Sequence, residues 1–434
     1  MKNMKNTNIP WLGYVPENWE LKKIKYTLQE RIEKNNPVKS ENILSLTAKQ
    51  GVIPHSEKEG GGNKPKEDFS AYRLAYPGDI VMNSMNILSG SVGLSKYFGC
   101  VSPVYYMLRP SDKNHDVRFY NYIFQSTVFQ RSLFGLGNGI LIKESGNGKL
   151  NTIRMRIPMD KFGQLFIPVA PIIEQHRIAD FLDAKCEKID AITSDIEDEI
   201  TTLEKYKKSE IFKAVSKGVD NTSLKSTNSD VWTEIPESWK LADIKYLFEI
   251  VKRIAGEEGY DILSVTQRGL KIKDISNNEG QIANNYSGYQ FVYPTDYVMN
   301  HMDLLTGWVD CSSMFGVTSP DYRVFRLRDK NNNNLEYYKY VMQCCYLCRI
   351  FYSLGQGVSN LGRWRLQTSS FMNFLVPVPP IAEQEHIAEY LSRKISEIDA
   401  TIELKQAQLD TLAEYKKSLI YEYVTGKKEV PADV

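Results

Sequence analysis

PIIEQHRIADFLDAKCEKIDAI, residues 171–192, returns as PIAEQEHIAEYLSRKISEIDAT, residues 380–401, at an offset of 209. The same offset carries Leu203, Tyr206, Lys207, Lys208 and Ser209 onto Leu412, Tyr415, Lys416, Lys417 and Ser418. Upstream, VPENWELKKIKY (15–26) matches IPESWKLADIKY (235–246), and YPGDIVMNSM (76–85) matches YPTDYVMNHM (293–302). Ser102-Pro103 and Ser319-Pro320 correspond, as do GLGNG (135–139) and SLGQG (353–357). The offset drifts only from 220 to 209, so nearly the whole chain is one unit written twice. That period is far too long for a solenoid, whose repeats run to about 20–50 residues.

Each copy has two parts. The first mixes short β-rich runs (DIVMN and YYMLRP; YVMN and YRVFRLR) with Gly- and Asn-rich loops and an aromatic, helix-like stretch, FYNYIFQSTVFQ or YYKYVMQCCYLC. This reads as α/β (α+β), with a twisted sheet. The Pro-rich stretches IPVAPI and VPVPPI are expected to end the domain, because proline cannot continue a ladder. A long helix opens after the proline, with Glu in its first turn to suit the helix dipole. A polar linker is expected over residues 221–229. The resulting division is 1–170, first domain; 171–220, first long helix; 221–379, linker and second domain; 380–434, second helix and tail.

The helices carry a seam. Leu182, Ile189, Ile196 and Leu203 fall seven apart, interleaved with Ile178, Ile192 and Tyr206. Leu391, Ile398 and Leu412 form a row that Lys405 interrupts, beside Ile395, Ile402 and Leu409. A sustained 3.5-residue spacing predicts a coiled coil, over a rod of roughly 60 Å at 1.5 Å per residue. Chain order makes the two seams antiparallel if they pair, with a pseudo-two-fold axis across the rod. Two related domains on such an axis would meet a duplex as a dimer does, at two half-sites.

Bulk properties bound the function. At 434 residues, two or three domains are expected. No apolar run is long enough to span a bilayer, and the opening MKNMKNTNIPWLGY has no apolar signal core. Six cysteines, three of them at Cys344, Cys345 and Cys348, make no disulfide framework, so a cytoplasmic location is expected. The balance of 54 basic and 53 acidic residues lacks the basic excess usual for phosphate neutralisation. Part of the acid sits away from the domains: residues 174–217 hold 11 acidic and 8 basic side chains.

The Pro-rich exit, Glu-Gln and long helix, occurring twice, resemble the specificity subunits of type I restriction–modification systems. So do the Pro-x-x-Trp segments at Pro16–Trp19 and Pro236–Trp239 and the Pro-Gly-Asp segment at Pro77–Asp79, where the second copy has Thr295 in place of Gly78. The resemblance implies a non-catalytic chain with two tandem target-recognition domains, each reading one half of a split target in double-stranded DNA. It also implies partners: two adenine-methylating modification subunits and two restriction (endonuclease/translocase) subunits. The loops HSEKEGGGNKPKEDFS (55–70) and KDISNNEGQIANNYSGYQ (273–290) differ heavily, so the target is expected to be asymmetric, with an unread gap set by the rod. A chain of the same build serving a fused or single-partner enzyme is an alternative, as is a pseudosymmetric protein–protein scaffold.

Base readout needs Arg, Lys, Asn, Gln or Ser on loops or helix ends, with other cations on phosphates. The first domain offers Lys49, Gln50, Lys58, Lys64, Lys66, Asn83, Ser84 and Asn86. The second offers Gln267, Arg268, Lys271, Lys273, Asn300, His301, Asp303, Arg363, Trp364 and Arg365. Asn83 and Asn300 serve equally well as turn residues. Near both helix ends, Tyr206, Lys207 and Lys208, with Tyr415, Lys416 and Lys417, are candidates for partner docking or for complementing the helix dipole.

No cofactor or metal is expected. FGLGNG (134–139) superficially resembles a methyl-donor loop, with Asp160 at about the spacing of a ribose contact, but FQRSLF before it looks helical where the fingerprint needs a strand. Cys345 and Cys348 have CxxC spacing, yet the first copy has Thr127 and Gln130 there, so buried thiols are expected. No acid–base constellation of a nuclease stands out, and there is no Asn-Pro-Pro-aromatic tetrapeptide of a DNA amino-methyltransferase.

Overall fold

A computed structural model describes residues 3–47, 50–58, 65–85, 90–136, 138–140, 154–274, 285–356 and 364–432. Compactness does not follow chain order. One unit joins Met1–Asp195 to Ala407–Val434, and the other is Ile196–Gln406, so the division falls inside both long helices, Ile172–Lys217 and Ile381–Val424.

The first unit is built on an antiparallel sheet in the order Leu28–Arg31, Tyr105–Pro110, Ile80–Asn83, Val92–Leu94. Strand alternation decides what each face buries. Ile80, Met82, Tyr106 and Leu108 pack towards the helix Val117–Gln125 and its aromatic neighbours. Val81 and Met107 face the other way, onto Leu44, Val52 and Val101. The helix starts where the Asp116 side chain accepts from the Arg118 N–H. Its apolar payload is aromatic: Phe124, Phe129 and Phe162 meet tilted or edge-on at centroid distances of 5.3–6.3 Å.

The second unit repeats the plan. Its sheet runs Phe248–Val251, Arg323–Leu327, Tyr297–Met299, Val309–Cys311, antiparallel throughout. Tyr297, Met299, Phe325 and Leu327 face the helix Leu335–Leu347, and Val298 and Val324 face Leu263 and Val265. Asn334 caps that helix by accepting from the Tyr337 N–H at 2.9 Å.

Two expectations are corrected. The Pro-rich stretches do not stop the pairing: Phe166–Val169 pairs with Glu20–Lys23, placing Pro168 opposite Leu21, and Leu375–Val378 pairs with Lys240–Asp243, placing Pro377 opposite Leu241. Each is a two-stranded ribbon, where a strand needs bonds on one side only and a proline facing the other side costs nothing. Nor is 221–229 merely a linker, since Leu224–Ser226 pairs with Glu234–Pro236. Met4–Asn6 pairs with Tyr14–Pro16 in the same way, so the repeat begins upstream of the sequence match.

Each unit is closed by the end of a long helix. In the first, Leu419, Ile420 and Val424 join Trp11, Leu12 and Trp19 in one core, and Tyr421 Oη donates to the Trp11 carbonyl at 3.1 Å. In the second, Ile211, Ala214 and Val215 join Trp232 and Trp239. The offset of 209 superimposes Ile211 on Ile420 and Val215 on Val424, so the same apolar positions do the same work twice.

Within each unit the two helices run antiparallel. In the first, Phe181 packs on Tyr423 at 4.5 Å and Lys416 pairs with Asp190 at 2.5 Å. In the second, Tyr390 donates to Glu210 at 2.8 Å, Lys207 pairs with Asp399 at 2.6 Å, and Lys405 pairs with Glu199. Residue numbers rise along one helix as they fall along the other. Leu182, Ile189 and Ile196 are buried, as are Leu391, Ile395 and Ile398. Ile192 and Tyr206, expected between the heptad positions, are 48% and 42% exposed. The buried stripe is therefore the seven-residue row with the position four residues on, as at Leu182, Cys186 and Ile189 and at Leu391, Ile395 and Ile398, while Ile192 and Tyr206 lie on its flank in solvent.

Candidate nucleic-acid interface

The motifs shared by the copies hold each domain onto its helix. Trp19 Nε1 donates to Glu174 Oε2 at 3.1 Å, and Trp239 Nε1 donates to Glu383 Oε2 at 2.5 Å. The next residue bridges in both copies. Gln175 accepts from the Asp116 N–H at 2.9 Å and donates to the Ala170 carbonyl at 2.7 Å; Gln384 accepts from the Asn334 N–H at 2.8 Å and donates to the Pro379 carbonyl at 2.9 Å. Both glutamines are fully buried, and their amides satisfy backbone groups at the domain–helix junction.

The Tyr-Pro-x-Asp segment is also structural. Asp79 accepts from the Tyr76 N–H at 2.9 Å and pairs with Arg31 at 2.8 Å, while Arg31 lies over the Tyr76 ring at 4.3 Å. The Asp79 carboxylate raises the Arg31 pKa above its ordinary value through that hydrogen bond. Asp296 accepts likewise from Tyr293 N–H and pairs with Arg253, which lies over the Tyr293 ring at 4.6 Å. The turn between them needs positive φ: 87° at Gly78 and 77° at Thr295. The second copy thus keeps the turn with a β-branched residue where glycine is the unstrained choice.

The candidate readers lie outside these motifs, most of them on loops and hairpins. In the first unit, Lys58, Lys66 and Asn83 line one cavity of about 380 Å³, together with Ser45, His55 and Tyr72. Ser45 Oγ lies 2.7 Å from His55 Nδ1. Sequence reading missed that pair, which it had no motif to flag. Gln50 sits exposed in the turn after Thr47, whose Oγ1 accepts from its N–H at 3.0 Å. Ser84 is 1% exposed and donates to the Val104 carbonyl at 2.7 Å, which puts it in the interior rather than on a reading surface. Lys49, Lys64 and Asn86 lie outside the described residues.

In the second unit two groups form. His301 and Met302 meet the segment of Arg365 and Leu366: the Leu366 N–H donates to the His301 carbonyl at 2.9 Å, and Arg365 Nε lies 2.7 Å from Met302 Sδ, while Asp303 Oδ1 accepts from the Leu305 and Thr306 N–H groups at 3.0 Å. Arg323, 5% exposed, stacks on Phe371 at 4.7 Å and donates to the Leu366 carbonyl at 3.0 Å. Burial, then the charges of Arg323 and Arg365, push the His301 pKa down to about 4, so the ring is neutral at pH 7. Among the described residues, its Nδ1 and the Trp364 Nε1 are buried without a hydrogen-bond partner. Burial also lowers Arg323, to about 10. The other group lies on the hairpin Leu263–Thr266 and Gly269–Ile272: Gln267 and Arg268 are exposed at its tip and Lys271 is exposed on its second strand. The Lys273 N–H donates to the Ile262 carbonyl at 2.7 Å. Arg363 lies outside the described residues.

Asn83 and Asn300 are turn residues in both copies, accepting from the N–H of Met85 at 3.0 Å and of Met302 at 3.2 Å. Of the docking candidates, Lys207 and Lys416 are paired within the chain to Asp399 and Asp190, and Lys417 to Glu414 at 2.6 Å. Tyr206 and Tyr415 are exposed, Tyr206 beneath the Lys394 ammonium at 5.4 Å. The thiols are interior: Cys345 is fully buried, which pushes its pKa well up, and the close approach is Cys344 Sγ to Cys348 Sγ at 3.8 Å, one helical turn apart. Among the described residues no cluster of three or more His, Cys, Asp or Glu side chains could hold a metal, and no helix is long and apolar enough to cross a membrane.

Comparison with known proteins places this architecture. A family model described as a type I restriction modification DNA specificity domain matches residues 236–414. The type I restriction enzyme MjaVIII specificity subunit of Methanocaldococcus jannaschii is 24% identical over 290 residues, covering 62% of this chain and 63% of that protein. The putative type I restriction enzyme MjaX specificity subunit of the same organism is 23% identical over 463 residues, covering 99% of this chain and 97% of that one. A solved chain, from work on complex assembly and conformational transition of the type I R-M system, superimposes with a TM-score of 0.65 at 14% identity, over 95% of this chain and 99% of its own.

Proposed function

We propose, from the premise that this chain belongs to the specificity subunits of type I restriction–modification systems, that it reads a split, asymmetric sequence in duplex DNA through two recognition domains. One observation carries the reading. The same four-stranded order and the same domain–helix bonds occur twice, while the loops of the two copies differ. A fixed scaffold with variable loops is how one fold presents two specificities. In the first domain the readers are Gln50, Lys58, Lys66 and Asn83, with Lys49, Lys64 and Asn86 adjoining them in sequence. In the second they are Gln267, Arg268, Lys271, Lys273, Asn300, His301, Asp303, Arg363, Trp364 and Arg365.

The chain itself transfers no methyl group and cuts no strand. It assembles in the cytoplasm with two modification subunits that methylate adenine and with restriction subunits, the exposed Tyr206 and Tyr415 serving as docking points, since Lys207, Lys416 and Lys417 are committed to ion pairs within the chain. The recognition domains correspond to residues 1–170 and 221–379, and the helices 171–220 and 380–434 set the gap between the half-targets.

The near-neutral charge of the chain favours a second reading, a protein scaffold that never meets DNA. Equilibrium binding of the purified chain, with its modification partner, to duplex DNA over about 50–200 mM salt separates the two. A DNA reader weakens steeply with salt as counterions are released, and a scaffold shows no duplex binding at any salt.

A further inference from the structure

The second unit contains a cleft of about 600 Å³ between the helix segment carrying Thr201–Lys208 and the domain's own loops. Its wall brings together Lys205, Lys207, Lys208, Arg268 and Arg349, against only two carboxylates, Glu204 and Asp399. Asp399 is already paired with Lys207. Among the described residues, Lys205, Lys208, Arg268 and Arg349 form no ion pair, and all four are exposed. In a chain whose charges balance to +1 overall, this is a local excess of positive charge.

The first unit shows how the excess arises. By the repeat, Arg349 corresponds to Arg131, Lys208 to Lys417 and Lys205 to Glu414. There Glu414 accepts from Lys417 at 2.6 Å, and the Arg131 charge also acts on that carboxylate, holding it below its usual range together with Lys417. The first unit therefore neutralises its own cations. In the second, a lysine replaces the one acid that did so, and nothing among the described residues takes over its role.

We infer that this cleft is a phosphate site, which holds the sugar-phosphate backbone of duplex DNA against the second domain, and that Lys205 is the residue that makes it one. The inference rests on the DNA-reading function proposed above. Two observations point to DNA rather than to an acidic protein partner. The charge excess belongs to one copy, whereas a surface for two like partners would recur in both. And the same wall carries Gln267 and Arg268, at the tip of a hairpin in the variable domain, so the cations stand beside candidate base readers. Phosphate binding that fixes register next to a reader is the usual division of labour at such interfaces. Arg268 and Arg349 add planar guanidinium forks that match phosphate oxygens two at a time.

The test is the salt dependence of duplex binding by the full chain, alone and with its modification partner, using duplexes with and without the mapped target. Lys205→Glu installs the first unit's own arrangement, so it pairs with Lys208 and Arg349 as well as removing one cation. The slope of log K against log salt should become shallower by about one to two units, near 0.9 for each phosphate that is no longer neutralised. Arg349→Gln, which removes an exposed charge from the same wall without touching the hairpin readers, should lower it by about one. Binding should weaken on both duplexes alike, leaving the preferred sequence unchanged. If the parent binds with a steep slope and both variants keep it, the phosphate site is refuted while the DNA-reading function stands. If the slope is kept but the modification partner no longer binds, the cleft belongs to a protein partner. A parent that binds no duplex at all overturns the function itself, and this inference with it.

Discussion

Trp19 donates its indole N–H to the Glu174 carboxylate at 3.1 Å, joining residues 155 positions apart at the junction of domain and helix. The ring is wholly buried, and its polar edge reaches the acidic side chain in the helix's first turn. Trp19→Phe keeps much of the packing and removes the donor. A hydrogen bond to a charged group contributes about 1.5–3 kcal/mol, so the first unit should lose roughly 2–3 kcal/mol, read as a lower urea midpoint. Glu174→Gln, which keeps an acceptor, should cost about half as much. A loss from Trp19→Phe with none from Glu174→Ala would mean that packing alone, not the bond, holds the junction.

Thr295 occupies a turn position with φ of 77°, and its counterpart Gly78 has φ of 87°. A β-branched side chain there carries about 1–3 kcal/mol of backbone strain. Thr295→Gly should therefore raise the stability of the second unit by roughly 1 kcal/mol, net of glycine's greater freedom in the unfolded chain. Gly78→Thr should lower that of the first. Its added Cβ meets no atom within 4 Å, so any loss would come from the backbone and not from a clash. Denaturant melts of the two variants against the parent decide both signs.

His301 gives the second unit an acid-sensitive component. Its pKa in the folded protein is about 4, against about 6.5 when unfolded, because burial and two arginines disfavour the charged ring. Between those values the unfolded chain takes up a proton that the folded one does not. The stabilisation is therefore full above pH 6.5 and is lost as pH falls towards 4, by roughly 2–3 kcal/mol in all. His301→Asn should flatten the stability of the second unit between pH 6.5 and 5, a window that lies above the ordinary carboxylate range. An unchanged pH profile in the variant would show that another group sets it.

Much of this was legible in the sequence, and for identifiable reasons. The repeat could be read because both copies need the same few side chains at the domain–helix junction: Trp and Glu for the bond across it, Gln for its backbone groups, Tyr and Asp for the turn. Ile189 and Ile398 were legible as seam positions because the seven-residue row recurs in both helices. What hid was whatever depends on distant partners. No local pattern shows that Ile420 and Val424 complete the core around Trp11 and Trp19, since roughly four hundred residues intervene. Pro168 and Pro377 were misread because the rule against proline in a sheet does not hold for a ribbon with a free edge. The loop residues were named by type alone, and type did not distinguish exposed Arg268 from buried Ser84.

The central claim is that two domains on one scaffold read two half-targets independently, and exchanging one domain tests it most directly. Residues 235–379 would be replaced by the matching domain of another specificity subunit, cutting at the paired motifs so that the Trp239–Glu383 and Gln384 bonds are kept. Each chimaera would be expressed with its modification partner and the methylated adenines mapped across the genome. The account predicts that one half of the modified sequence changes to that of the donor, while the other half and the gap stay as they were. A chimaera that modifies DNA but has both halves rewritten together, or neither, would contradict it.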